Sequence, residues 1–251
     1  MSYKTLPLLR KMSNNNSNWK ANAILGKMKK HRNDSFGNDS YTKLLLHMDG
    51  VDNGTTFTDD SASNHIITRH NALTKTSVKK FGTASGYFDG YGDYLTIPDS
   101  DDWHFGTGDF TIDFWVFPNS IVNNSCILAH INWGTTILAF SVYINGTTLE
   151  FYASSNGSTW ELEQFSLGTL NTGSWQHFAL TRSGDFFKGY KNGVQISNVE
   201  NSTNIVNISE LLYIGTNPSH AYFNGYIDEL RISKGIARWT ENFTPPTQPY
   251  S

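Results

Sequence analysis

Phe110-Thr-Ile-Asp-Phe-Trp-Val-Phe117 and Gly173-Ser-Trp-Gln-His-Phe-Ala-Leu-Thr-Arg182 each alternate large apolar with polar residues at period two, and each carries a tryptophan. That period places one set of side chains on one face of a strand, so both runs read as strands with a face on a core. Outward from them the same reading extends to Thr42–Met48, His65–Arg69, Ser85–Phe88, Tyr94–Ile97, Cys126–Ile131, Ile137–Ile144, Thr148–Ala153, Trp160–Ser166, Phe186–Tyr190, Val194–Ser197, Leu211–Ile214 and Tyr226–Ser233. Asn145-Gly-Thr147 and Asn192-Gly193 read as hairpin turns, because Asn-Gly tolerates the positive φ that tight β-turns require. Ile236–Thr240 reads as one helical turn that sets Trp239 on a sheet, while Trp115 and Trp175 read as core. The pattern predicts an all-β fold of two antiparallel sheets stacked as a jelly-roll sandwich.

Composition agrees with that class. The chain has 251 residues, 14% aromatic and only 16% charged, enough rings for a sizeable core and too little charge for helical bundles. Cys126 is the only cysteine, which excludes an intrachain disulfide, and its apolar run predicts a buried, inert thiol. No apolar run reaches membrane-spanning length, and Leu6-Pro-Leu-Leu9 is too short for a signal-peptide core. The expectation is a protein folded in the cytoplasm, with no membrane insertion.

Charge is distributed unevenly. Residues 1–33 hold eight of the 19 basic residues and none of the 22 acidic ones, so a net charge of −3 conceals a basic arm on an acidic body. The expected division is an Asn/Ser-rich basic arm over 1–40 and a jelly-roll domain over 41–251. Trp19, Ile24, Leu25, Lys29 and Lys30 are the candidate anchor residues of the arm. It reads either as a solvated tail or as an attachment arm that orders on a larger assembly. Nucleic-acid binding is the lesser alternative, since the arm has no recognised motif for it.

Lys80–Pro98, Tyr190-Lys-Asn-Gly-Val194 and Phe223–Ile232, in order around the two Trp strands, resemble the laminin-G-like branch of the concanavalin A-like lectin/glucanase superfamily. The wording of Pro98-Asp-Ser-Asp-Asp-Trp-His-Phe-Gly-Thr-Gly-Asp-Phe110 is most similar to copies in bacteriophage virion proteins. The resemblance spans Tyr41 to about Phe243. It implies the jelly roll, and with it a structural Ca²⁺ held by carboxylates from the first and last strands, here Asp49 and Asp228, with Asp59 or Asp60 adding a ligand. The competing reading makes Asp49 a turn cap and has Asp228 bond backbone amides or Arg231. It also implies glycan binding, for which Trp133, Trp160 and Tyr222, in or beside loops, are the candidate stacking rings.

Glucanases share the superfamily and use paired carboxylates. Glu161-Leu-Glu163 would set two on one strand face, but the longer Glu-x-Asp-x-x-Glu or Glu-x-Asp-x-Glu run of those enzymes is missing. The reading is therefore a non-enzymatic virion structural protein: a capsid decoration, head fibre or tail-associated protein, oligomeric on the particle and joined to other virion proteins through its arm. The alternatives are a free carbohydrate-binding lectin and a degenerate glycoside hydrolase. Fold alone does not choose among them.

Overall fold

The computed structural model of the chain describes residues 37–132, 137–219 and 221–251. The arm residues Trp19, Ile24, Leu25, Lys29 and Lys30, and the loop residue Trp133, lie outside the described residues.

Two antiparallel sheets make the sandwich. One runs β13 (Val194–Glu200), β12 (Phe186–Lys191), β11 (Gln176–Ser183), β6 (Phe110–Ser120), β15 (Asn224–Lys234), β4 (Ser85–Asp89) and β3 (Leu73–Lys75), with β1 (Thr42–Leu46) paired to β15. The other runs β10 (Leu162–Thr169), β9 (Thr148–Ala153), β8 (Ile137–Asn145), β7 (Cys126–Asn132), β14 (Leu212–Ile214), β5 (Tyr94–Ile97) and β2 (Thr68–His70). Phe88, Phe110, Phe114, Phe140, Phe151, Phe178 and Phe187 are buried together between the sheets. The period-two reading of β6 and β11 thus holds, with Phe114 opposite Phe178 in register. Asn192 and Gly193 both take positive φ at the β12–β13 hairpin.

The outer face of the eight-stranded sheet is covered at its centre and carries half-exposed rings at Tyr87, Tyr226, Phe117 and Trp175 beyond it. Asp113, Trp115, His177, Asp228 and Arg231 project from it and are buried. Arg231 donates to both oxygens of Asp113, at 3.0 and 3.3 Å, and its guanidinium lies 3.7 Å from the Tyr250 ring centroid. The Tyr250 hydroxyl donates to Asp113, and the Tyr250 amide donates to Glu229 at 3.0 Å. Burial alone would raise the Asp113 carboxyl; Arg231, with His177 and Tyr250, more than offsets it and holds it below the usual range. Trp239 packs on Ala179 and Tyr190 and stacks on Phe243 at 4.0 Å, covering the β11–β12 part of that face.

Several local expectations change. Residues 236–240 are not helical, although Trp239 does pack on the sheet, so apolar burial and not helix propensity fixes that segment. Trp175 precedes β11 and is half-exposed, edge-on to Phe117, because the strand starts one residue later than the alternation suggested. Trp115 is buried outside the sheet, under the loop that carries Lys80 and Phe81, and not between the layers. Among the described residues no helix is long and apolar enough to cross a membrane.

Residues 37–39 are tied into the sandwich. Arg231 donates to the Gly37 carbonyl at 3.2 Å, the Asn38 amide to Ser251 at 2.9 Å, and Arg238 pairs with Asp39 at 2.8 Å. Arg238 is itself buried. Deleting 1–36 should therefore leave the melting temperature unchanged. Deleting 1–40 removes the carboxylate partner of Arg238 and should cost up to about 3 kcal/mol, the low end for breaking a buried pair. Equal melts for the two truncations would show that Asp39 contributes nothing.

His130 carries a second test. Its Nε2–H donates to the Glu210 carbonyl at 3.0 Å, and buried Nδ1 has no partner. Burial pushes the imidazole down to about 4, only partly offset by Glu210, so it is neutral in the fold. The unfolded chain protonates near 6.5. The stability tied to this depressed pKa is thus present above 6.5 and lost as pH falls through about 4. Urea melts between pH 7 and 4 should show a shallower acid loss for His130→Gln, which keeps a donor but does not titrate. An unchanged slope would clear His130 of that role.

Candidate functional site

The seven-stranded sheet has an open outer face. Tyr213, Ala129, Ser141 and Tyr152 stand opposite one another in register across β14, β7, β8 and β9. With strands about 4.8 Å apart, the row spans roughly 14 Å, with rings at its ends and small residues as its floor. Tyr152 meets Tyr143 and Trp160 edge-on, each at 5.6 Å, and Ser141, Tyr143, Tyr152 and Trp160 line a cavity of about 150 Å³. At the opposite end Tyr94 lies 6.3 Å from Tyr213 and 6.1 Å from Tyr222, and stacks on His70 at 4.1 Å. All these rings are half-exposed.

The rings are held. Cys126, Ala129, Ile131 and Leu138 form an apolar bed under Tyr143, Trp160 and Tyr213. Burial pushes the Cys126 thiol up to about 12, so it is inert, as its sequence context predicted. The Tyr152 hydroxyl donates to Glu150 at 2.8 Å, Asn145 donates to the same oxygen at 3.2 Å, and the Tyr143 hydroxyl donates to Asn124 at 2.5 Å. Such a surface offers flat apolar faces and fixed acceptors, the combination that binds the faces and hydroxyls of sugars.

Of the rings named from sequence, Trp160 and Tyr222 fall on this one face, at opposite ends. Tyr94, Tyr143, Tyr152 and Tyr213 were missed. Their signal was present in Ser141-Val-Tyr143 and Glu150-Phe-Tyr152, where tyrosine takes the outward phase that Ser, Thr or Asn would usually fill. Glu161 does not share a strand face with Glu163. It precedes β10, and its carboxylate turns back onto the Ser155 amide, Asn156 and Thr159 at 2.5 to 2.8 Å. Against the upward push of burial, the Thr159 and Ser155 hydrogen bonds hold it below the usual carboxylate range, the wrong direction for a general acid.

The structure brings two of the four predicted metal ligands to one loop. Asp228 accepts the amides of Lys80 and Phe81 at 2.8 and 3.2 Å, and Asp49 accepts the Thr83 amide, its hydroxyl at 2.9 Å and the Ala84 amide at 3.2 Å. Gly82 has φ +54°, and a Cβ there would collide with the Asp49 carboxylate, so glycine is what permits this close wrap. Asp59 stands apart: its buried carboxylate accepts the amides of Leu45, Ser61 and His65 and so builds its own turn. Asp60 makes no bond to the 80–84 loop, and its exposed carboxyl is raised by burial and by Asp59 and Asp49, with His47 opposing.

One observation fits a cation at Asp49 and Asp228: the buried Oδ1 of Asp228 has no partner, while Lys80 lies over the Trp115 ring at 3.9 Å. Among the described residues no group of three or more His, Cys, Asp or Glu gathers around it. A Ca²⁺ would therefore draw the remainder of its six to eight oxygens from backbone and water.

The same orphaned oxygen makes a testable prediction. Burial, with Glu229 and Asp49 adding to it and the Lys80 and Phe81 amides opposing, pushes the Asp228 carboxyl up to about 8. An unfolded Asp ionises near 3.8, so the native state keeps a proton that the unfolded chain has released. That contribution is full below pH 3.8 and lost as pH rises through about 8. Without added metal, Asp228→Asn should melt near the parent at low pH and above it at pH 8. A variant less stable at pH 8 than at pH 5, relative to the parent, would overturn this assignment.

Comparisons with known proteins agree with the architecture. The laminin-G-like family described as the concanavalin A-like lectin/glucanases superfamily matches residues 89–241, more than half of the chain. No curated protein sequence matches. Domain 4 of AbnA, a GH43 extracellular arabinanase from Geobacillus stearothermophilus solved with arabinotriose, has TM-score 0.60 and 19% identity over 78% of this chain and 94% of that one. The binding domain of Paraclostridial Mosquitocidal Protein 1 has TM-score 0.61 and 11% identity over 79% of this chain and 50% of that one. The receptor binding domain of botulinum neurotoxin D has TM-score 0.58 and 15% identity over 79% and 50%. The chain thus spans about half the length of the two toxin domains, and at these identities the likeness is one of fold. With its two-sheet sandwich and the match over 89–241, the chain belongs to the concanavalin A-like lectin/glucanases superfamily.

Proposed function

We propose that this chain is a non-catalytic carbohydrate-binding module whose ligand lies in the aromatic groove of the seven-stranded sheet. The observation that carries the reading is the row itself: half-exposed rings, held by their hydroxyl partners, stand at the two ends of a floor made of Ala129 and Ser141, whereas the outer face of the eight-stranded sheet is covered at its centre and keeps half-exposed rings at Tyr87, Tyr226, Phe117 and Trp175 without such a trough between them. Association of the similar arabinanase domain with arabinotriose supports it by analogy of fold. Glu161 is bound to its own loop and Glu150 to Tyr152 and Asn145, which argues against a pair of catalytic carboxyls about 5 Å apart.

Truncating an exposed ring should cost binding and not folding. Tyr152→Ala and Trp160→Ala should each weaken oligosaccharide binding at least tenfold, about 1.4 kcal/mol, with a small change in melting temperature. Trp115→Ala, on the eight-stranded sheet, should do the reverse: about 3–5 kcal/mol of stability lost, and binding by the folded fraction retained. Calorimetry against neutral oligosaccharides checks both, and full binding by the Tyr152 and Trp160 variants would refute the groove.

The proposal includes a structural Ca²⁺ held by Asp49 and Asp228, which would supply the countercharge that Asp228 lacks. Calcium should raise the melting temperature of the parent over that in EDTA and leave Asp228→Asn unmoved. It also includes display on a virion, supported by the phage-like wording of Pro98–Phe110 and by the basic segment before residue 34. Copurification with particles, lost on deletion of 1–36, tests that setting.

A further inference from the structure

The groove carries more carboxylates than its proposed ligand would need. Glu150, 8% exposed, sits beside Tyr152 and accepts its hydroxyl. Glu163 is exposed on the neighbouring strand β10, and its charge, with that of Glu150, reaches the Tyr152 phenol. On the other side of the trough Glu210 accepts Asn132 Nδ2 at 3.0 Å and bears on Tyr213. Among the described residues no lysine or arginine pairs with Glu150, Glu163 or Glu210. Every cation–π pair among the described residues falls on a ring of the eight-stranded sheet or of a segment lying on it, none on Tyr94, Tyr143, Tyr152 or Tyr213. On the same sheet as the row, Arg69 lies in β2 beside His70, with its guanidinium turned to the Ala72 carbonyl at 3.3 Å.

We infer that the groove selects its ligand by charge, taking neutral oligosaccharides and rejecting those that carry carboxylates, such as sialylated or uronate glycans. The inference rests on the carbohydrate reading above and adds the class of sugar. Ionised carboxylates accept hydrogen bonds and donate none, so Glu150 and Glu163 suit the O–H donors of a neutral sugar. An anionic sugar would bring a like charge beside them with no cation among the described residues paired to them, and juxtaposed like charges are a common means of excluding the wrong partner. The penalty is electrostatic and partly exposed, so it shortens with the Debye length, which falls from about 8 Å at physiological ionic strength to about 3 Å at 1 M salt.

The test uses the full chain and pairs of glycans that differ in charge: galacturonate oligomers against their methyl esters, sialylated glycans against their asialo forms, with neutral arabino- and xylo-oligosaccharides alongside. Neutral members should bind, and their anionic partners at least tenfold more weakly at low salt, with the gap narrowing at 1 M salt. Glu163→Lys should close the gap by strengthening the anionic arm. An anionic member bound as tightly as its neutral partner, or a gap indifferent to salt and to Glu163→Lys, overturns charge selection and leaves the groove as a glycan site. Binding of none of the panel overturns the carbohydrate reading itself, and charge selection with it.

Discussion

The buried contact of Arg231 with Asp113 and Tyr250 organises the domain. Two charges are taken out of water on the outer face of a sheet, a costly placement unless geometry and further hydrogen bonds complete the shell. Here the shell is completed by residues far apart in sequence: Asp113 in β6, Arg231 in β15, Tyr250 near the C-terminal end and Gly37 before β1. Removing any of them exposes the others to an uncompensated interior. The segment from Trp239 to Tyr250 is thereby committed to cover the centre of the eight-stranded sheet.

The aromatic face of the seven-stranded sheet follows from strand alternation. A sandwich has two outer surfaces, and the alternation of each strand supplies side chains to both of its own faces at once. Phe140 and Val142 go inward on β8 while Ser141 and Tyr143 go outward; Phe151 goes inward on β9 while Glu150 and Tyr152 go outward. The trough exists because Ala129 and Ser141 are small where their neighbours across the sheet are tyrosines. A larger residue at either position would fill the floor.

The sandwich was legible because its signal is local: Phe110–Phe117 and Trp175–Thr181 state their period within eight residues. Trp160 and Tyr222 were legible as rings beside loops, and Asp49 with Asp228 as a pair through resemblance. What sequence does not carry is registry. Nothing near Tyr213 shows that Tyr152 lies three strands away in line with it, since that depends on pairings of β14, β7, β8 and β9 across long separations. Asp59 misled for a related reason: an Asp after a strand looks the same in sequence whether it faces an ion or, as here, three amides of its own turn.

The two faces use carboxylates in opposite ways. On the eight-stranded sheet Asp113 is matched by a cation at 3.0 Å and serves to fix the chain. Asp228, its neighbour on the same face, accepts the amides of Lys80 and Phe81, and its Oδ1 has no hydrogen-bond partner among the described residues. On the seven-stranded sheet Glu150 accepts the Tyr152 hydroxyl and the Asn145 amide, and among the described residues neither it nor Glu163 is paired with a guanidinium or ammonium. A carboxylate matched by a cation adds little to the field at the surface, whereas an unmatched one projects it toward whatever approaches. The same acidic composition thus gives structural closure on one side and a negative groove on the other, and the difference lies in where the few arginines were placed.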